Sequence, residues 1–249
     1  MNSEKMNQFI RSVKLNRDKV ENFDEYPFSL PIIKNLDKIE FHPSVTFIVG
    51  ENGCGKSTIL ESIAVSYGFN PEGGTKNFNF SINDTHSCLH DFITIVKGVK
   101  KPKDGFFLRA ESFYNVATNI DELNSESPSY SFMNSYGGKS LHKRSHGEAF
   151  FSLIMNKFTG NSLYILDEPE AALSPTRQMS LISRIDELVK QGSQFIIATH
   201  SPILMAYPNS FIYQIKEDIQ KVKYEDSENY NITREFLNNY KKMIHILTK

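Results

Sequence analysis

The stretch Val45-Thr46-Phe47-Ile48-Val49, running directly into Gly50-Glu51-Asn52-Gly53-Cys54-Gly55-Lys56-Ser57-Thr58, decides the architecture. The five apolar or β-branched residues read as a buried strand. The loop after that strand has the pattern Gly, four residues, then Gly-Lys-Ser. In that spacing the glycines let backbone N–H groups curl around anionic oxygens, Lys56 reaches the terminal phosphates and the Ser57 hydroxyl is placed to ligate Mg²⁺. Ile59, Leu60, Ile63, Ala64 and Tyr67 recur at helical spacing, and Gly68 ends the run as a C-cap. A helix beginning near Lys56 adds its positive dipole end to the loop. Gly50, Asn52, Gly53, Cys54, Gly55, Lys56, Ser57 and Thr58 are therefore the candidate binding residues of a nucleoside triphosphate.

Outward from this loop, the second half of the chain alternates regularly. The pattern gives a helix over Ser145–Phe158, a strand over Ser162–Leu166, a helix over Pro175–Gln191 stopped by Gly192, and a strand over Gln194–Thr199. Strand and helix in alternation imply a mostly parallel sheet with its ligand at the strand C-termini. The first half is less regular. Pro27, Pro31 and Pro43 favour an antiparallel edge-strand segment over a helix near the N-terminus, and Asp91–Val99 and Gly105–Leu108 read as short strands. Asn70–Thr85 and the Ser- and Asn-rich Asn119–Ser140 read as loops, the second lid-like. One domain over residues 1–249 is expected, with a loop-rich lobe inserted over roughly 70–145.

Two further strand ends carry chemistry. Leu163-Tyr164-Ile165-Leu166-Asp167-Glu168-Pro169 places Asp167 to hold a Mg²⁺ shell and Glu168 to polarise an attacking water. Phe195-Ile196-Ile197-Ala198-Thr199-His200 ends with a histidine on the same sheet edge, a candidate γ-phosphate switch. With these three motifs in this order, the chain resembles the ATP-binding-cassette (ABC) type ATPases from Val45 to Pro202. The resemblance implies an α/β P-loop NTPase of ABC ATPase type, with a mostly parallel central sheet flanked by helices.

The branch is read from two departures. Transporter cassettes carry Leu-Ser-Gly-Gly-Gln, whereas this chain has Arg144-Ser145-His146-Gly147-Glu148. Transporters continue after the acidic pair with Ser-Ala-Leu-Asp, whereas this chain has Glu170-Ala171-Ala172-Leu173-Ser174-Pro175. Both resemble the RecF, SMC and OLD-like ATPases of DNA repair and phage defence, and especially small stand-alone ATPases of the AAA label. Ser145 and Glu148 also form a capping-box pattern, and a capped helix start with Gly147 in its first turn is an anion-binding surface. In the family, the signature contacts the γ-phosphate of ATP held by the opposite subunit. Ser145, Gly147 and Glu148 are thus expected to act in trans, in an ATP-dependent homodimer with two-fold symmetry. No glutamine stands where the family's Q-loop follows a strand; Glu111 is the candidate for that metal- or water-contacting place, with coupling through Arg109 as the alternative.

Composition sets the outer bounds. Net charge is −1, so no global basic field draws the chain to nucleic acid or anionic lipid. Cys54 and Cys88 make no disulfide framework, and no apolar run spans a bilayer, so a cytoplasmic protein without direct membrane insertion is expected. The span from 58 to 145, about 87 residues, is too short for SMC-like arms, since an arm of about 100 Å needs about 67 helical residues each way. With about 47 residues after Pro202, an attached Toprim-type nuclease is not expected, and any nuclease is expected as a separate chain. His86, Cys88 and His90 make an incomplete zinc set. Lys139, His142, Lys143 and Arg144 form a short basic run, read as a solvated face before nucleic-acid contact. Phe236, Leu237, Tyr240, Met243, Ile244 and Leu247 stripe one side of a last helix, with core packing as the default expectation and an unidentified partner protein as the alternative. Tyr26, Phe28 and Phe41 are candidates to stack on adenine.

The expectation is therefore an ATP-binding and Mg²⁺-dependent ATP-hydrolysing cassette. It would act as a conformational switch in nucleic-acid maintenance or defence, with Glu168 and His200 catalytic and Ser57, Asp167 and Glu111 toward the metal. Its alternatives are the ATP-binding subunit of a membrane transporter and an ATP-gated binding module with negligible turnover.

Overall fold

Strands that alternate between two buried faces organise this chain. The computed structural model describes residues 8–75, 87–111, 113, 117, 118 and 145–249. Strands β3 (Val45–Gly50), β6 (Ser162–Asp167) and β7 (Gln194–Ala198) are buried at every position, as interior parallel strands covered on both sides must be. With β5 (Asp104–Arg109), β8 (Ser210–Ile215) and β9 (Ile219–Val222) they form a six-stranded sheet of order β5-β6-β7-β3-β8-β9. All neighbours are parallel except the β8–β9 hairpin.

Successive side chains go to opposite sides. Phe47, Val49, Phe106, Leu108, Tyr164, Leu166, Phe195 and Ile197 face one core, which is closed by Phe150 and Leu153 of α3 (His146–Lys157) and by Leu181, Ile185 and Leu188 of α4 (Pro175–Lys190). Ile48, Phe107, Leu163, Ile165, Ile196 and Ala198 face the other. That second core is closed by α2 (Lys56–Tyr67) and by a three-stranded antiparallel sheet of β1 (Ile10–Leu15), β2 (Lys38–Glu40) and β4 (Ile93–Lys97), in the order β2-β1-β4.

Gln194 joins the two sheets. Its buried Oε1 accepts from the backbone N–H groups of Phe9 and Ile10, each at 2.9 Å, while its Nε2 donates to Ile10 O at 2.8 Å and His42 O at 3.0 Å.

The N-terminal antiparallel segment is present as β1 and β2, but Pro31 opens a one-turn helix, α1 (Pro31–Lys34), where strand was favoured. Proline suits the first helical position because its missing N–H has no helical partner there. Within the span expected as an inserted lobe, β4 joins the small sheet and β5 forms an edge of the large one. The lid-like stretch 119–140 and the basic run 139–144 lie outside the described residues.

A short helix, α5 (Pro202–Met205), comes after β7. The last helix, α6 (Glu228–Leu247), corrects the expectation of core packing. It buries no residue fully, and Leu237, Tyr240, Ile244 and Leu247 are exposed. Among the described residues, no helix is long and apolar enough to cross a membrane.

Candidate nucleotide site

β3 delivers the chain into a loop that only glycine can follow. Gly53 and Gly55 take φ of 80° and 99°, and a Cβ on Gly55 would lie 2.6 Å from Ile32 Cγ2 of α1. Gly55 caps α2, so the free N–H groups of the first turn open into the loop. Lys56, nearly buried, folds back to donate to Gly50 O and Glu51 O, both at 3.0 Å. Its Nζ stands 4.0 Å from Glu168 Oε1. Cys54 is buried, and burial pushes its thiol pKa up while Lys56 opposes the rise. That is the environment of an inert filler.

The two acids after β6 have different surroundings. Asp167 is buried and accepts from Ser57 Oγ at 3.1 Å; burial raises its pKa to about 6, against the lowering effect of Arg109 and the Ser57 hydrogen bond. Ser57 and Asp167 thus place two hard oxygens side by side beneath the loop, a donor set suited to Mg²⁺. Glu168 takes a left-handed backbone, φ 48° and ψ 51°, before Pro169 starts the short turn Pro169–Ala172. Such strain in a non-glycine residue is concentrated at functional sites. It turns the carboxylate to 3.2 Å from His200 Nε2, an ion-pair distance without hydrogen-bond geometry.

His200 is held by two side chains that sequence reasoning missed. Its N–H donates to the Glu170 carboxylate, and its carbonyl accepts from Asn229 Nδ2 at 3.1 Å. Neither residue stands in a motif whose spacing announces it; Asn229 arrives from the first turn of α6, twenty-nine positions away.

Tyr26, Leu30, Asn52, Gly53, Gly55, Lys56, Ser57, Thr58, Glu111 and Glu168 line one cleft of 470 Å³. Of the three aromatic candidates, Tyr26 is 66% exposed at this cleft, whereas Phe28 and Phe41 are buried in the second core. Glu111 is at the cleft but largely in solvent, 4.0 Å from Arg109 Nη2. A larger cleft of 620 Å³ opens between the loop and the β8–β9 hairpin. It is lined by none of Lys56, Ser57 and Glu168, which the smaller cleft brings together.

Ser145, Gly147 and Glu148 are not among the lining residues of that cleft. They cap α3 on the surface: Glu148 N–H donates to Ser145 Oγ at 3.4 Å and Ser145 N–H to Glu148 Oε2 at 3.1 Å. Gly147 has a packing reason as well, since a Cβ there would meet Ala172 O at 2.5 Å, in the turn after Glu168. Among the described residues no cluster of three metal-ligating side chains exists, and His86 lies outside them.

A phosphate loop after a buried parallel strand, an Asp-Glu pair at the next strand end but one and a histidine on the strand between them define the class of P-loop ATPases with the ABC-type fold. Within it, the chain belongs to the AAA ATPase domain family, whose pattern matches residues 70–205. Similar proteins include the energy-coupling factor transporter ATP-binding protein EcfA2 of Methanospirillum hungatei, 26% identical over 195 residues, covering 74% of this chain. The aligned part is 48% of that protein, so the chain spans about half the length of this relative. The cobalt import ATP-binding protein CbiO of Salmonella typhimurium is 24% identical over 202 residues, 75% of this chain and 73% of its own. Among solved structures, a metal-chelate type ABC transporter in an inward-facing conformation aligns with a TM-score of 0.52 at 16% identity, covering 91% of this chain and 88% of that one.

Proposed function

We infer that the chain binds ATP with Mg²⁺ in the cleft beneath Tyr26, hydrolyses it, and closes as a head-to-tail pair around two ATP molecules. The observation that carries this reading is the convergence at Glu168: its carboxylate lies between His200 Nε2 and Lys56 Nζ at 3.2 and 4.0 Å, in the same cleft as the phosphate loop. Glu168 orients and deprotonates the attacking water, and Lys56 and His200 stabilise charge on the transferred phosphoryl group. Mg²⁺ held by Ser57 and Asp167 would neutralise charge on the phosphate oxygens. Tyr26, exposed at that cleft, would stack on the base.

Ser145, Gly147 and Glu148 are assigned to the partner copy's ATP. The exposure of Ser145 and Glu148 at a capped helix start, with Gly147 half-buried beside them and all three outside their own chain's cleft, supports that assignment. A role in nucleic-acid maintenance or defence rests on the altered signature and the altered stretch after the acidic pair, and the net charge of −1 adds nothing to it.

The experiment is Glu168→Gln. Unchanged affinity for ATP with turnover reduced by about a thousandfold or more fits a water-orienting base; turnover equal to wild type rejects it.

The relatives named as transporter ATP-binding proteins favour a second reading, in which the cassette couples to a membrane subunit. Purification from detergent-solubilised membranes separates the two. A co-purifying integral membrane protein supports the transporter reading, and its absence together with bound nucleic acid supports the first.

A further inference from the structure

Arg109 stands at the end of β5 directly beside Asp167, the two being register partners across β5 and β6. Its guanidinium is always charged and faces three carboxylates, those of Glu61, Asp167 and, 4.0 Å away in solvent, Glu111. Nε is buried without a hydrogen-bond partner, 3.5 Å from Asp167 Oδ2. Glu61 holds the side chain there, its Oε2 accepting from Arg109 Nη1 at 2.8 Å. Glu61 is itself fixed, because its Oε1 accepts from the Ser87 N–H at 3.1 Å. Glu61 also belongs to α2, the helix that opens with Lys56 and Ser57, so the clamp is rigid with respect to the phosphate loop.

We propose that Arg109 is a built-in counter-cation of the metal site: it offsets Asp167 when no divalent ion is bound, Glu61 keeps it short of full contact, and the pair sets how strongly nucleotide binding depends on Mg²⁺. This inference rests on the proposed binding of nucleotide and Mg²⁺ in the cleft. Without a cation beside Asp167, the carboxylate repels the polyphosphate of metal-free ATP. With Arg109 in full contact, a divalent ion would have to displace a charge-assisted hydrogen bond to reach Asp167. The observed geometry lies between these extremes. A polar cavity of 230 Å³ lined by Ser57, Thr58, Glu61 and Arg109 gives the guanidinium room to withdraw when a metal ion takes the carboxylate.

The test compares the affinity of the full chain for trinitrophenyl-ATP in EDTA and in excess Mg²⁺, as the ratio of the two dissociation constants. Arg109→Gln removes the counter-cation, so metal-free binding weakens and the ratio rises about tenfold. Arg109→Lys keeps a charge and returns the ratio toward wild type. Glu61→Gln releases Arg109 onto Asp167, and the ratio falls below wild type. A merely structural role for the pair would move both losses of charge in the same direction and would show as a lower melting temperature. An unchanged ratio in Arg109→Gln, or a shift of Glu61→Gln in the same direction, overturns the inference. Should Arg109→Gln not fold, the direction of the Glu61→Gln shift decides alone. Wild type that binds the analogue in neither medium would reject the nucleotide site itself, which is a separate outcome.

Discussion

Asp167 illustrates how a buried carboxylate can cost stability. Its folded pKa of about 6 lies above the 3.8 of an unperturbed aspartate, so the folded state binds the proton more tightly. Its contribution to stability is therefore greatest below the lower value and falls as pH rises through the window to about 6, by about 3 kcal/mol once the charge must be buried. Asp167→Asn is expected to flatten the slope of stability between those two pH values and to stabilise the nucleotide-free chain at pH 7. Chemical denaturation across that range checks this, and a slope unchanged by the substitution contradicts it. Lys56→Ala removes the buried ammonium at the loop and should weaken ATP binding roughly a hundredfold while leaving the fold intact. Titration calorimetry reads the affinity, and circular dichroism the fold. At this scale the sequence was legible wherever a residue's place is set locally. Gly55, Lys56, Ser57, Asp167, Glu168 and His200 sit in fixed registers relative to a strand end, and the strands bring them together. Glu170 and Asn229 were illegible because their partner, His200, is reached through tertiary packing.

Among the elements, the start of α3 makes the strongest claim. Gly147→Ala adds a Cβ that would lie 2.5 Å from Ala172 O, so either the helix start or the turn Pro169–Ala172 must move. The expected cost is about 1–3 kcal/mol, together with reduced turnover, because that turn carries Glu168 at its edge. Thermal unfolding and a phosphate-release assay measure the two parts; a variant as stable and active as wild type would show that the contact is slack. Helix α6 shows the limit of periodicity. The stripe through Leu237, Tyr240, Ile244 and Leu247 was legible as one apolar face, but a 3.6-residue period reports a face and not what covers it. Those four residues are exposed, while the first turn of the same helix anchors His200 through Asn229. Pro31 is the converse case: proline disfavours strand interiors and helix interiors alike, and only the position at the first turn of α1 distinguishes them.

For the whole molecule, alternation in the second half of the chain made the parallel sheet and its ligand edge legible, since each buried strand has a continuous apolar run. The small antiparallel sheet was less so: its apolar side chains close the second core, but its polar tie to the large sheet runs through the buried side chain of Gln194, and no pattern marks a glutamine that bridges sheets. Gln194→Ala should cost at least about 3 kcal/mol, leaving the Phe9 and Ile10 N–H groups without their partner. Urea unfolding measures that loss. The central claim is that ATP itself joins two copies of this cassette. Light scattering on Glu168→Gln, with and without Mg²⁺-ATP, tests it most directly. The account predicts a molar mass that rises from 28.5 kDa to about twice that value only when Mg²⁺-ATP is present. A mass unaffected by nucleotide, in a variant shown to bind it, would contradict the account.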